Sequence, residues 1–105
     1  MKRPEYALEL TVNSRKFSRI IIDQHYRIKH SESINDEIIL QLLKTLDGRK
    51  FPPETIRDEF EYFTIEPVYR MTKSYRVVLV ICLTDDYLGV VNAYRIDEVA
   101  HDKIP

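Results

Sequence analysis

The stretch "KSYRVVLVICLTDDYLGVVNAYRI", residues 73–96, reads as two β-strands joined by a turn. Its first half is rich in β-branched side chains and apolar on both faces, which is typical of a central strand. The letters "DDY" are typical of a turn, so the second half is expected to be the antiparallel partner. That partner ends in Asn92, Tyr94 and Arg95, and polar side chains at the end of an apolar strand require an explanation.

The segments upstream of this pair add three more strands. "YALELTV", residues 6–12, alternates between apolar and polar positions, which predicts a half-buried strand. A tight turn at Asn13-Ser14 and the strand "RKFSRIIID" then complete a hairpin over residues 5–23. A further strand is expected at residues 60–66, and Pro67 places its far end at an edge or a bulge.

"SINDEIILQLLKTLDG", residues 33–48, predicts one long helix, because its apolar residues recur at helical spacing. Ser33 can cap its start, and Gly48 can supply a left-handed residue at its end. The segment "HYRIKH" before it is ambiguous, and we favour a short helix at 24–31 with Ile28 pointing inward.

The elements therefore follow the order β-β-α-β-β-β, which indicates an α+β fold. We expect an antiparallel twisted sheet with one long helix and a short helix at 24–31. A chain of 105 residues without a repeat or a linker is expected to form a single domain, residues 1–105.

Composition narrows the classes of protein. The single cysteine, Cys82, excludes a disulfide framework within one chain and a cysteine-based zinc cluster, and it favours the cytoplasm. No signal peptide is expected from "MKRPEYALEL", and the longest apolar run, "VVLVICL", is too short to span a membrane as a helix. The net charge is −1, yet residues 1–30 hold seven Lys/Arg against three Asp/Glu. Two interpretations stay open: a local basic face that attracts phosphates, or separate cations that only keep the strand surfaces solvated.

The sequence has no Gly-rich phosphate loop, no Gly-x-Ser-x-Gly and no His-Glu-x-x-His, and two glycines cannot build a nucleotide cradle of the usual kind. His25 and His30 are five residues apart, a spacing that does not direct both rings to one metal ion on a helix or a strand. On a helix, His25 and Lys29 share a face, which pairs a proton-transfer group with a cation. That pair suits chemistry on a phosphodiester, and the alternative is two solvated histidines.

Antiparallel pairing across the turn brings the start of one strand to the end of the other. The polar and aromatic residues thus expected at one end of the sheet are Lys73, Tyr75, Asn92, Tyr94 and Arg95. Asn92 and Tyr94 share one face of their strand, and Arg95 projects from the other. A buried amide is costly unless bonded, so Asn92 is tied to the backbone or orients a phosphate or a histidine.

The whole pattern resembles the barnase–EndoU–colicin–RelE group of small metal-independent ribonucleases, many of which are toxins of toxin–antitoxin pairs. The resemblance covers roughly residues 24–96: "HYRIKH" matches the histidine-bearing segment, and Lys73 matches the cation at the start of a strand. "NAYR" occupies the place of a Thr-x-Tyr type motif, with Asn92 where Thr or Ser is expected. Asn cannot transfer protons, and the N-terminal hairpin lies outside the pattern.

The resemblance implies an endoribonuclease that cleaves RNA by attack of the 2′-hydroxyl, without a metal or any other cofactor. His25 or His30 would be the general base or acid, Lys73 and Arg95 would stabilise the charged transition state, and Tyr94 would position or donate. The residues expected to bind substrate are Lys29, Tyr75 and Asn92.

A different reading makes the chain a non-catalytic protein-interaction domain that binds through its edge strands or through the acidic residues 31–66. A third reading is a sequence-tolerant nucleic-acid binder without chemistry. The partners to be considered are therefore RNA, a small antitoxin protein and a second copy of the chain, and no membrane.

Overall fold

The computed structural model describes residues 3–96. Within them, a 3₁₀ turn at Gln24–Tyr26 leads directly into the first of two short helices. The elements in chain order are β1 (Glu5–Val12), β2 (Arg15–Ile22), α1 (Arg27–His30), α2 (Asp36–Lys44), β3 (Thr55–Arg57), β4 (Phe60–Arg70), β5 (Lys73–Cys82) and β6 (Tyr87–Arg95). The α+β class predicted from the sequence is confirmed.

The six strands form one sheet in the order β1-β2-β6-β5-β4-β3. β2 and β6 pair in parallel, with Ile21 opposite Gly89, while the other neighbouring strands are antiparallel. The sheet is therefore mixed, and not antiparallel as predicted. Alternation along a strand shows which face is apolar but not which distant strand becomes its neighbour, so the pairing of β2 with β6 left no local signal.

The predicted long helix is only nine residues long. It begins after Asn35, whose side chain accepts a hydrogen bond from the Ile38 amide at 2.8 Å, and not after Ser33. It ends at Lys44, and Gly48 lies beyond it in a turn, with φ of 80° and its amide bonded to the Thr11 carbonyl at 2.7 Å. Within residues 3–96, no helix is long and apolar enough to cross a membrane.

The segment at 24–31 forms the short helix as a 3₁₀ turn followed by α1. The apolar side chain of Ile28 predicts that this residue points inward. The structure shows the opposite, because Ile28 is 63% exposed. Tyr26 is the residue that enters the core instead, with 1% of its surface exposed. Its ring is buried while its hydroxyl bonds to Asp36, so the polar end of the side chain is satisfied.

The third predicted strand is longer than expected and has an additional neighbour. β4 continues through Pro67, and its register with β5 shifts between Ile65 and Val68, in agreement with the expected bulge. β3 pairs with its outer side as a sixth strand. All three β3 residues are exposed, so this strand has no apolar alternation by which the sequence could reveal it.

The sheet has two chemically different faces. One carries the fully buried residues, such as Phe63, Val77 and Leu79, which belong to the same core as Leu42 and Leu43 of α2. We call the other side the open face. By strand alternation and pairing it is formed by Ile21, Phe60, Tyr62, Thr64, Glu66, Arg76, Val78, Val80, Tyr87, Gly89, Asn92 and Tyr94. Apart from Gly89, these residues are half-buried or exposed, so their side chains are accessible to a ligand.

Candidate active site

His30 is the histidine that reaches the end of β6. Its imidazole stacks on the Tyr94 ring, with the ring centroids 4.8 Å apart and the planes inclined by 20°. The segment that follows β2 is held against β6, because the Asp23 amide donates a hydrogen bond to the Val90 carbonyl at 2.9 Å. The 3₁₀ turn and α1 then continue beside the second half of β6, and His30 is the last residue of α1.

Arg76 joins this pair from the neighbouring strand. It lies directly opposite Tyr94 in the β5–β6 register, and its Nη1 donates to the Tyr94 hydroxyl at 2.5 Å. Its Nε and Nη2 donate to the two carboxylate oxygens of Glu66 at 2.8 and 2.7 Å. We call His30, Tyr94, Arg76 and Glu66 the His30 cluster.

The charges of the cluster fix the orientation of the guanidinium. The hydrogen bonds from Arg76 lower the pKa of Glu66, so this carboxylate is ionised at neutral pH and orients Arg76 through a two-pronged bond. Three of the five N–H donors of a guanidinium are used in the bonds to Glu66 and Tyr94. Two donors of Arg76 therefore stay available, on a side chain that is 37% exposed.

A buried carboxylate supports the segment that carries His30. Asp36 accepts hydrogen bonds from the hydroxyls of Tyr26 at 2.5 Å and Tyr6 at 2.6 Å. Gln24 donates to both Asp36 oxygens, at 3.0 and 3.1 Å. Because Gln24 and Tyr26 belong to the 3₁₀ turn, these bonds fasten the turn to α2 and to β1 just before His30.

Asp36 is ionised in spite of its burial. Burial opposes the charge, but the hydrogen bonds from Tyr26, Tyr6 and Gln24 outweigh it and hold the pKa of Asp36 below its usual range. In Tyr26, burial and the hydrogen bond to Asp36 both raise the pKa of the hydroxyl. The network therefore contains a charged carboxylate and neutral phenols.

The structure separates the two histidines. His25 is the exposed residue of the 3₁₀ turn, and its backbone amide donates to the Asp23 side chain at 2.8 Å. Lys29 is also exposed, on α1. Of the two histidines, His30 is the one whose ring packs against Tyr94.

Lys73, Tyr75 and Arg95 lie on a different face from the His30 cluster. Tyr75 and Arg95 are directly opposite each other in the β5–β6 register, so their side chains leave the same face, and Tyr75 is 1% exposed in the core. Lys73 is two residues before Tyr75 and pairs with Arg70, so strand alternation places it on that face as well. The predicted register at this end of the sheet is correct, but it brings these three residues to the core side.

Asn92 lies on the open face beside an irregularity in the β5–β6 pairing. The register shifts between Val78 and Leu79, and the side-chain Oδ1 of Asn92 accepts a hydrogen bond from the Ala93 backbone amide at 2.9 Å. The amide is thus tied to the backbone, which was one of the two roles that the sequence left open.

Glu66 and Arg76 are site residues that the sequence reasoning missed. A signal for Arg76 was present: the register that pairs Tyr75 with Arg95 also pairs Arg76 with Tyr94. Glu66 stands before Pro67 at the bulge of β4, and the size of that bulge, which sets where Glu66 points, cannot be read from the sequence.

Among residues 3–96, no three His, Cys, Asp or Glu side chains are grouped so that they could hold a metal ion. The two carboxylates of the site region, Glu66 and Asp36, are bonded to protein donors.

Comparison with known proteins found no family model, curated protein or solved structure that matches this chain.

Proposed function

We propose that the chain is a cytoplasmic, metal-independent endoribonuclease of the toxin type, with the His30 cluster as its active site. The observation that carries the proposal is the stacking of His30 on Tyr94, whose hydroxyl is bonded to Arg76. The cluster combines a proton-transfer group, a phenol and an oriented cation on an accessible face. Cleavage of a phosphodiester by a neighbouring hydroxyl needs a general base, a general acid and a cation for the phosphoryl charge, and these three groups can supply them.

In the proposed reaction, the 2′-oxygen of a ribose forms a bond to the adjacent phosphorus, and the bond from phosphorus to the 5′-oxygen breaks. His30 accepts the proton of the 2′-hydroxyl. Tyr94 donates a proton to the departing 5′-oxygen, and water returns both groups to their starting states. The products are a 2′,3′-cyclic phosphate end and a 5′-hydroxyl end.

Arg76 stabilises the negative charge that develops on the phosphoryl oxygens, using the two donors that Glu66 and Tyr94 leave available. Glu66 is a positioning residue, because its carboxylate is ionised and engaged by Arg76. Arg76 thus takes the part that the sequence analysis had given to Lys73 and Arg95.

A non-catalytic protein-interaction domain is the second candidate. It is favoured by exposed apolar side chains at one end and one edge of the sheet: Tyr69 is 64% exposed, Met71 83% and Ile56 62%. Such side chains suit a partner protein. A toxin would use the same surface for its antitoxin, so RNA cleavage, and not partner binding, separates the two candidates.

Cleavage of a defined RNA in EDTA tests the proposal. His30→Ala is expected to lower the single-turnover rate by about 10²–10⁴-fold, which is the usual contribution of a general acid or base. His25→Ala is the matched control, because it removes an exposed imidazole from the same segment, and its rate is expected to stay within about twofold of the wild type.

Two outcomes would contradict the proposal. Intact RNA with the wild-type protein would favour the interaction domain, particularly if a small protein co-purifies with the chain. Equal losses of rate in His25→Ala and His30→Ala would show that the stacked histidine has no special part in cleavage.

A further inference from the structure

A pocket lies on the open face, at the opposite end of β6 from the His30 cluster. It has a volume of about 460 Å³, a size typical of small-ligand sites. Three aromatic rings from two strands line it: Phe60 and Tyr62 from β4, and Tyr87 from β6. We call it the Gly89 pocket.

Gly89 forms the floor of this pocket. A β-carbon at this position would lie 2.6 Å from Cγ1 of Val80, which is closer than real contacts allow. A glycine inside a strand weakens the strand, and it often marks a place where a ligand approaches the backbone closely. Here the Val80 side chain occupies the space that a side chain at position 89 would need, and Gly89 lines the pocket together with Tyr62 and Tyr87.

The rim of the pocket offers both a hydrogen-bond donor and an acceptor. Nε of Arg3 pairs with Oδ2 of Asp23 at 3.3 Å, and the Arg3 side chain is 70% exposed. Both residues line the pocket. The guanidinium of Arg19, the β2 residue that pairs with Tyr87, lies 6.0 Å from the Tyr87 ring centroid and is bonded to Asp86.

Aromatic walls with a donor and an acceptor at the rim match the chemistry of a nucleobase. Unpaired bases stack on aromatic side chains and are read by hydrogen bonds to their edges. An apolar peptide side chain would use the aromatic walls, but it would make no bond to the exposed guanidinium of Arg3. A nucleotide uses both features, since its phosphate can pair with Arg3.

The pocket and the His30 cluster lie on the same face of the same strand. Gly89 and Tyr94 are separated along β6 by about 17 Å, from the usual rise of ~3.4 Å per residue. A single strand of RNA lying along the open face would therefore reach both places at once.

We propose that the Gly89 pocket holds one unpaired base of a single-stranded RNA, a few nucleotides away from the bond cleaved at the His30 cluster. The proposal rests on the proposed function in taking RNA as the ligand. It goes beyond that function by assigning a binding site for a base outside the reacting nucleotides.

Binding of a dye-labelled 2′-O-methyl RNA hexamer, measured by fluorescence anisotropy, tests this directly. The probe has no free 2′-hydroxyl and cannot be cleaved by the proposed reaction. Tyr62→Leu keeps the apolar bulk but removes the stacking surface, and it is expected to weaken binding about tenfold. Tyr69→Leu changes an exposed tyrosine of the same strand outside the pocket, and it is expected to bind as the wild type does.

A second variant and a modified probe keep the test independent of folding. If circular dichroism shows that Tyr62→Leu is unfolded, Tyr87→Leu removes a ring from a different strand of the pocket. A series of hexamers with one abasic site each is expected to lose affinity mainly at one position, because one base enters the pocket.

The outcomes separate the pocket from the ribonuclease. Tight binding of the hexamer by a wild-type protein that leaves unmodified RNA intact in EDTA would end the ribonuclease proposal and leave the pocket. Cleavage with unchanged binding in Tyr62→Leu and Tyr87→Leu would end the pocket proposal and leave the ribonuclease. A wild-type protein that binds no hexamer, or equal losses at every abasic position, would also overturn the pocket.

Discussion

Among single side chains, Asp36 is the one that joins β1 and the 3₁₀ turn to α2. It is 7% exposed and accepts hydrogen bonds from three residues, which lie on β1 and in the 3₁₀ turn. A buried carboxylate is tolerated only when it is bonded in this way. The placement of His30 beside Tyr94 therefore depends on a residue that has no part in the proposed chemistry.

Asp36→Ala is expected to lower the free energy of unfolding by about 3 kcal/mol, because the buried hydroxyl of Tyr26 loses its charged acceptor. Glu37→Ala is the control: it removes an exposed carboxylate from the next position of α2 and should cost less than about 0.5 kcal/mol. Urea denaturation measures both. Equal losses in the two variants would show that the network is not stabilising.

The stability of the chain should fall in acid through the same residue. The folded pKa of Asp36 lies below that of the unfolded chain, about 3.9, so the unfolded state binds more protons as the pH decreases. The stabilisation is present above pH ~4 and is lost as the pH falls through the folded pKa. Unfolding free energies measured between pH 6 and 2 should therefore decrease less steeply for Asp36→Asn than for the wild type, and parallel curves would contradict this.

The choice of histidine shows the limit of sequence reasoning at this level. His25 and His30 are equivalent by composition, and the spacing excluded a shared metal but could not select one ring. In the structure His30, the last residue of the helix that follows the 3₁₀ turn, is the ring that stacks on Tyr94. Ile28 of the same helix is exposed, although its apolar side chain alone predicted burial.

Among the elements, the two hairpins followed from local patterns. β1 and β2 alternate in the sequence, and Asn13 and Ser14 both adopt the left-handed conformation expected in a tight turn, with φ of 55° and 64°. The pairing of β5 with β6 followed from two apolar runs around "DDY". Strand β3 and the parallel pairing of β2 with β6 have no local pattern, so they could not be predicted.

Ser14→Gly is expected to raise the free energy of unfolding by about 0.5–1 kcal/mol. Glycine removes the cost of a left-handed serine, and this gain exceeds its larger loss of chain entropy. Ser18→Gly, at an exposed position within β2, has no such strain to relieve and should destabilise by about 0.5–1 kcal/mol. Thermal or urea unfolding of the two variants measures the difference, and a loss of stability in Ser14→Gly would contradict the explanation.

For the molecule as a whole, the sheet has one face that packs in the core and one face that is accessible. The core face packs against α2, and Tyr75 and the pairing position of Arg95 belong to that side. The open face carries the His30 cluster at one end and the Gly89 pocket at the other. The sequence predicted that a histidine and Tyr94 would belong to one site. Assigning each residue to one of the two faces of the sheet required the register of every strand.

The charge pattern of the chain fits this division only in part. The basic excess of residues 1–30 includes Arg19, which is engaged by Glu5, Asp85 and Asp86. A cation bound to three carboxylates contributes little to phosphate binding. Arg76 and Arg3 are better placed to contact RNA, because they lie at the two proposed sites on the open face.

The most direct measurement uses a DNA strand that contains a single ribonucleotide and is incubated with the protein in EDTA. The strand offers one 2′-hydroxyl, so from the proposed ribonuclease activity we expect one cut, immediately 3′ of the ribonucleotide, which leaves a 2′,3′-cyclic phosphate. His30→Ala should abolish that cut, and His25→Ala should retain it. Cleavage of the all-DNA strand, or a cut that persists in His30→Ala, would contradict the assignment of the His30 cluster as the active site.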